Sequence, residues 1–324
     1  MKKRKLPASI SLDLDDKWSY MKVHGDEGWQ KFPSYFDIVV PLTLDMLDRL
    51  NIKITFFIVG QDAAIEKNHS ILKNIVERGH EVANHSFHHE SWLKTYSPDK
   101  IENEIIMAEE SILKATGIRT NMFRGPGFSW SNDLLEVLRK REYIFDASIL
   151  PTYLSPLMRR YYFWKSRLSK EERKKRRELF GSFKEGFYPL KPFKWEFKNK
   201  KQLLEIPVTT MPVFKTPFHQ SYLIYISNVS IGLMKMYLRF SIFMCKLTRT
   251  SPSYLLHPLD LIGSDHAPEL SFFPGMNVQS DRKMKILETA LKRLKKNFEL
   301  MPMGEFAKQL SEKRKTIRLK EKPE

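Results

Sequence analysis

The chain has 324 residues, 42% of them hydrophobic, and a formal net charge of +17. That length supports one large α/β domain or two smaller ones, and the apolar content excludes disorder over most of it. A single cysteine, Cys245, excludes an intramolecular disulfide and with it a secreted disulfide-stapled scaffold.

The chain opens on Met1-Lys2-Lys3-Arg4-Lys5, but Pro7, Ser9 and three aspartates by Asp16 break the apolar run that a signal peptide needs. This predicts a cytoplasmic protein. Ala8 to Leu14 reads as a strand running into Asp15 and Asp16. Phe36 to Leu50 has apolar residues at helical spacing, and Ile54 to Val59 is a buried strand ending at Gly60. Ser70 to Arg78 is a helix stopped by Gly79, and Glu81 to Asn84 a short strand running into His85. The next helix has Ser97 at its N-cap, Pro98 at its first position and Gly117 as its stop. Asn121 to Arg124 is strand-like, Ser131 caps a helix to about Arg141, and Tyr143 to Asp146 is a strand.

Pro151 to Lys201 breaks this rhythm and reads as an insertion over one face, with a helix from Ser169 to Phe180. From Arg159 to Lys201 there are 16 basic and 5 acidic residues, among aromatics such as Tyr161, Trp164, Phe187 and Trp195. An anionic membrane surface or a lipid-linked sugar suits such a segment; a solvated helix face is the bland alternative. No nucleic-acid motif accompanies the charge, so no nucleic-acid partner is expected. Leu203 to Val208 and Ser253 to His257 are further strands, Arg282 to Lys296 a helix, and Phe298 to Met301 a last strand. The apolar stretch from Tyr222 to Leu247 contains Lys235, Arg239 and Lys246, which argues against a bilayer span but not against lying on a membrane. Cys245, inside it, reads as core. Seven or eight strands with intervening helices predict a (β/α) barrel over residues 1–310. Residues 311–324 read as a basic, flexible tail.

Three polar clusters fall at the C-terminal ends of strands, where sites form in parallel α/β sheets. In Asp13-Leu14-Asp15-Asp16, period two puts Asp13 and Asp15 on one face, and neighbouring carboxylates call for a cation or an arginine. A solvated, helix-capping turn is the rival reading. In His85-Ser86-Phe87-His88-His89, one turn of helix would send His85 and His89 to the same side, as two ligands of one metal require; His88 would point away. Arg124-Gly125-Pro126-Gly127 aims an arginine from a tight turn. His257 ends an apolar strand and on its own reads more readily as structural than as catalytic.

Taken in order, these motifs resemble the NodB-like polysaccharide deacetylases, carbohydrate esterase family four. The resemblance runs from about Ile10 to Met303, with no counterpart for Pro151 to Lys201. It implies an α/β fold with a distorted (β/α)7 barrel of the polysaccharide deacetylase type, and a metal held by one aspartate and two histidines. It further implies removal of N-acetyl groups from an N-acetylated sugar. The common Thr-Phe-Asp-Asp-Gly form is replaced by Asp13-Leu14-Asp15-Asp16-Lys17. Strand alternation favours Asp13 as base and Asp15 as ligand; Asp15 as base with Asp16 as ligand is the rival register. His85 and His89 complete the ligand set, Arg124 pairs with the base, His257 is the acid, and Asp146 is a candidate to orient it. Zinc is the default metal, with cobalt, nickel, manganese or iron also compatible with a carboxylate in the set. With no export signal in the opening residues the expected location is cytoplasmic, and the basic segment suits a peripheral place at the inner face of the membrane. Two other functions fit the residues: an amidohydrolase on a small cyclic amide or ureide, and a non-catalytic carbohydrate-binding barrel.

Overall fold

β1 (Pro7–Leu14) carries two chemistries on one strand. Ala8, Ile10, Leu12 and Leu14 join the largest apolar cluster, while the alternate residues Ser9, Ser11 and Asp13 are buried on the opposite face. The structure, a computed structural model, describes residues 4–157, 160, 171, 183–310 and 316–318. In chain order α1 (Lys17–His24), α2 (Phe36–Leu50), β2 (Thr55–Ile58), α3 (Gly60–Ala64), α4 (His69–Glu77), β3 (Glu81–Asn84) and α5 (Pro98–Thr116) follow β1. Then come β4 (Met122–Phe123), α6 (Asn132–Lys140), β5 (Phe145–Asp146), β6 (Phe193–Glu196) and β7 (Gln202–Glu205). The last described elements are α7 (Gln220–Val229), α8 (Ile231–Leu247), β8 (Ser253–Leu256), α9 (Ser280–Asn297), β9 (Glu299–Met301), α10 (Met303–Gln309) and β10 (Thr316–Arg318).

The strands lie in the order β10-β6-β7-β5-β4-β3-β2-β1-β8, with β9 beside the start of β1. Among the described residues every strand pairing is parallel except β6 with β7. The expected distorted barrel is thus a strongly parallel α/β sheet that stays open: among the described residues no pairing joins β8 to β10. Helices α2, α8 and α9 pack their apolar faces on the outer side of β1, β2 and β8, with Cys245 fully buried among them. A smaller inner cluster of Phe57, Ala83, Phe145, Ala147 and Ile206 is closed from below by Met301, Met303 and Phe306.

That floor depends on α10, which has no punctuation in the sequence beyond Pro302. Its N-terminus is held by the Glu81 carboxylate, which accepts from Gly304 N at 2.7 Å and Glu305 N at 3.2 Å. Two segments hold strands that local sequence signals do not announce. β6 lies inside the segment read as an insertion, yet it is a strand of the sheet. Phe193 and Trp195 are buried and Lys194 and Glu196 half-buried, an alternation hidden by the surrounding lysines. β10 lies in the segment read as a flexible tail, yet it pairs with β6, and Arg318 Nε donates to Glu196 at 2.9 Å. The helix expected from Ser169 to Phe180 lies outside the described residues, apart from Glu171.

Candidate functional site

Parallel registry brings the polar strand ends together. Ser11 and Leu12 of β1 lie opposite Leu255 and Leu256 of β8, and Asp13 opposite Phe57 of β2. The residues just past each strand end, Asp15, His85, Arg124 and His257, therefore converge above the inner cluster. Asp15, His85 and His89 each offer a ligand atom, all within 4.8 Å of one another and all buried. Asp15 Oδ1 is 3.0 Å from Nε2 of His89 and 3.4 Å from Nε2 of His85.

The histidine motif is not the helical turn its spacing predicts. Ser86 and His89 both have positive φ, 62° and 52°, and the segment is an irregular loop. Its shape comes from side chains: Asn84 Oδ1 accepts from Ser86 N at 2.8 Å, and Glu104 Oε2 accepts from Phe87 N and His88 N. His88 turns away, with Nδ1 2.5 Å from Glu104 Oε1. His85 Nδ1 donates to the Arg124 carbonyl at 2.6 Å. A carbonyl only accepts, so the lone pair of a neutral His85 sits on Nε2, facing Asp15.

Arg124 is fully buried. It donates from Nη1 to Asp13 at 2.5 Å and to Ser11 Oγ at 2.9 Å, and from Nε to the Ala147 carbonyl at 3.0 Å. Its guanidinium lies over the Phe57 ring, 4.2 Å from the centroid. Gly125 makes the turn beneath it, because a Cβ there would overlap the Ser129 carbonyl. The other oxygen of Asp13 is 4.0 Å from His85 Nε2 and 3.9 Å from His257 Nε2. Asp13 thus stands between the Asp15-His85-His89 cluster and His257.

Asp16 is placed elsewhere. It caps α1, accepting from Lys17 N at 2.7 Å and Tyr35 N at 3.0 Å, and burial raises its carboxyl to about 6. Tyr35 also donates its hydroxyl to the Asp15 carbonyl at 2.5 Å, pinning the turn between the two aspartates. Asp146, the candidate to orient His257, has other partners: Ser148 Oγ donates to it at 2.6 Å and it pairs with buried Glu205. Burial raises both carboxyls of that pair, Asp146 to about 6.

The carboxylate beside His257 is Asp260. It accepts from His257 N at 2.8 Å across a short 3-10 turn, Pro258–Asp260, and lies 3.8 Å from His257 Nδ1. Burial pushes His257 down, but Asp260 and Asp13 outweigh it and raise the ring to about 9. His219, the residue before α7, was not anticipated. Its ring is edge-on to His257 with centroids 6.3 Å apart, and it is buried with Nδ1 lacking a hydrogen-bond partner. Burial, then the neighbouring His257 charge, pushes it down to about 3, so it is neutral in the physiological range. Asp260 was legible as the acid three residues beyond His257 in a proline-led turn; His219 had no spacing signal.

The donor set fits a cation. Asp15 Oδ1 and both ring nitrogens of His89 are buried without hydrogen-bond partners, an arrangement that is costly unless something electropositive lies between them. Burial alone would raise Asp15, but His89 and His85 hold its carboxyl well below the usual range. One carboxylate and two imidazole nitrogens suit zinc and other divalent transition metals.

The sequence profile described as polysaccharide deacetylase matches residues 15–145. A peptidoglycan-N-acetylglucosamine deacetylase of Bacillus cereus is 36% identical over 86 residues, covering 26% of this chain and 30% of that protein. Another, from Listeria monocytogenes, is 32% identical over 127 residues, covering 38% of this chain and 25% of that protein. The matched regions therefore span about a third or less of those relatives. A solved structure of a candidate polysaccharide deacetylase from Mycobacterium smegmatis superposes with a TM-score of 0.58 at 16% identity, covering 100% of this chain and 96% of that one, which shows a shared fold.

Proposed function

We propose, from the membership of residues 15–145 in the polysaccharide deacetylase family, that this chain is a metal-dependent hydrolase that removes N-acetyl groups from an N-acetylated carbohydrate. The observation that carries the reading is the buried convergence of Asp15, His85 and His89 beside an arginine-held Asp13, with His257 on its far side. Asp15, His85 and His89 would hold the ion, zinc by default, with cobalt, nickel, manganese or iron accepted by the same donors. When bound, that ion supplies Lewis acidity to the acetyl oxygen and to the attacking water.

The chain's own groups do the rest. Asp13 is the base: Arg124 fixes one of its oxygens, and the other is turned toward the cluster and His257, where it can take the proton of the attacking water. His257, raised to about 9, carries a proton at neutral pH and delivers it to the departing amine, which otherwise leaves poorly. Asp260 keeps it charged and oriented. His85 is held in one tautomer by the Arg124 carbonyl, so the base and a ligand are set by the same residue. The Asp15-base, Asp16-ligand register is disfavoured because Asp16 is spent on capping α1.

Barrel and site belong to one domain in this reading. A substrate presented at an anionic membrane surface, as the cationic run from Arg159 to Lys201 suggests, is compatible with it. No helix among the described residues is long and apolar enough to cross a membrane. Acetate release from N-acetylglucosamine oligosaccharides, with metal added back to chelated protein, tests the activity. A metal-loaded protein that releases no acetate from such oligosaccharides but opens a cyclic ureide would overturn it.

A further inference from the structure

α8 has two apolar faces. One, made of Met234, Leu238, Ile242 and Cys245, is buried in the main core. The other carries Leu233, Met236, Phe240, Phe243 and Leu247, and it is open: Met236 is 60% exposed and Phe243 56%. Those five positions repeat at alternating spacings of three and four, so they form one continuous seam along the helix. Phe214 extends it, its ring centroid 6.2 Å from Phe240, and its neighbour Val213 is also exposed. An apolar patch of this length on a water-facing surface marks an interaction site.

The charges around the seam select the partner. Lys235, Arg239 and Lys246 flank it and are exposed. No aspartate or glutamate occurs between Glu205 and Asp260, so α7 and α8 carry cations and no acid of their own. A second copy would set cation against cation along the same seam, which disfavours self-pairing. An anionic bilayer supplies what the face lacks: acyl chains for the rings and negative headgroups for the lysines and arginine. The helix would lie on the surface, since it is not apolar enough to cross.

We propose that the outer face of α8, with the Val213–Phe214 tip, docks this protein on an anionic lipid bilayer. The tip is not a loose attachment. Thr210 bridges to Pro217 at its base, and Tyr237 of α8 donates its hydroxyl to the Pro217 carbonyl at 2.8 Å. Two residues further on is His219, in the wall beside His257. Docking by this face therefore sets the candidate site at a fixed height from the lipid. The proposal is independent of the deacetylase reading, and its test needs no turnover.

The experiment is co-sedimentation of the full chain with vesicles of phosphatidylcholine, or of phosphatidylcholine mixed with phosphatidylglycerol. Binding is expected only with phosphatidylglycerol present, falling as salt rises. Lys235→Gln/Arg239→Gln/Lys246→Gln should weaken it roughly a hundredfold, at on the order of fivefold per cation. Phe240→Ser/Phe243→Ser, with an unchanged circular dichroism spectrum, should weaken it at least about tenfold. Met236→Trp gives a second readout that leaves the seam apolar: its fluorescence should shift to the blue with anionic vesicles alone. No binding by the unaltered protein at low salt would overturn the proposal. So would binding unchanged in both multiple variants, which would move the contact to the segment around Lys174 to Arg177. A dimer in vesicle-free buffer that Phe240→Ser/Phe243→Ser dissolves would instead make the face a self-interface.

Discussion

His85 and Arg124 are joined ring to backbone, with Nδ1 of the histidine donating to the arginine carbonyl at 2.6 Å while the arginine side chain donates to Asp13. The proposed ligand His85 and the proposed base Asp13 are thereby referenced to one residue. Arg124→Lys retains the charge but loses the planar fork that reaches Asp13, Ser11 and the Ala147 carbonyl together. We expect kcat to fall about 100-fold, as a misplaced base implies, while metal content stays near the unaltered level because the carbonyl is kept. Elemental analysis beside steady-state kinetics checks this; full metal loss in Arg124→Lys would contradict it.

The three aspartates of the first motif should separate by role. His85→Ala, His89→Ala and Asp15→Asn lose the metal. Asp13→Asn keeps it and loses turnover by on the order of a thousandfold. Asp16→Ala keeps it too, but forfeits the α1 cap and the Tyr35 contact, at a cost of about 1–2 kcal/mol in stability. Metal stoichiometry and calorimetry on the same preparations resolve these. Chelation should also lower the melting temperature of the unaltered protein, since a ligand bound only to the folded state stabilises it.

Asp260 should control the alkaline side of the pH profile. The raised His257 is protonated below about 9, so its role as an acid is present at neutral pH and lost as pH rises through that value. Removing the Asp260 charge removes a term that favours the protonated ring. In Asp260→Asn the alkaline limb of kcat/KM should therefore move to lower pH, with the acid limb unmoved. A profile identical to that of the unaltered protein would mean that Asp260 serves only as a turn cap.

His219, neutral in the physiological range, is expected to act on substrate rather than on protons. Its unpaired Nδ1 beside His257 is a hydrogen-bonding group in the wall of the site. His219→Leu should raise KM for an oligosaccharide, leave the pH limbs in place and retain metal. A fall in kcat with a constant KM would point instead to a role in positioning His257.

The parts of the fold legible in the sequence were those written by local rules. β1 to β3, α5 with its Ser97 cap and Gly117 stop, and α6 with its Ser131 cap fall where alternation and capping put them. The polar clusters were legible because each has short internal spacing. What escaped depends on contacts distant in sequence. β10 is a strand through its pairing with β6, more than a hundred residues earlier, whereas β6 forms a local hairpin with β7 whose alternation the surrounding lysines hide. α10 exists where Glu81, more than two hundred residues earlier, caps it. The His85 loop is irregular because Glu104 and Asn84 claim its amides, which outweighs the helical turn its spacing implied.

β1 lies between strands that are far apart in the sequence. Its partner β2 follows within about fifty residues, but β8 and β9 begin at Ser253 and Glu299. During synthesis the strand bearing Asp13 can acquire only β2 as a neighbour until β8, about two hundred residues beyond β2, has left the ribosome. The topology is therefore one of long loop closure, which slows folding and leaves an early hydrophobic edge open in the nascent chain. A fragment ending before β8 would keep all three members of the Asp15-His85-His89 cluster yet lack the ladder that holds Asp15 in place. Pairing of β1 with β8 should thus be coupled to metal affinity, and a fragment ending before β8 is expected to bind added metal more weakly than the longer chain.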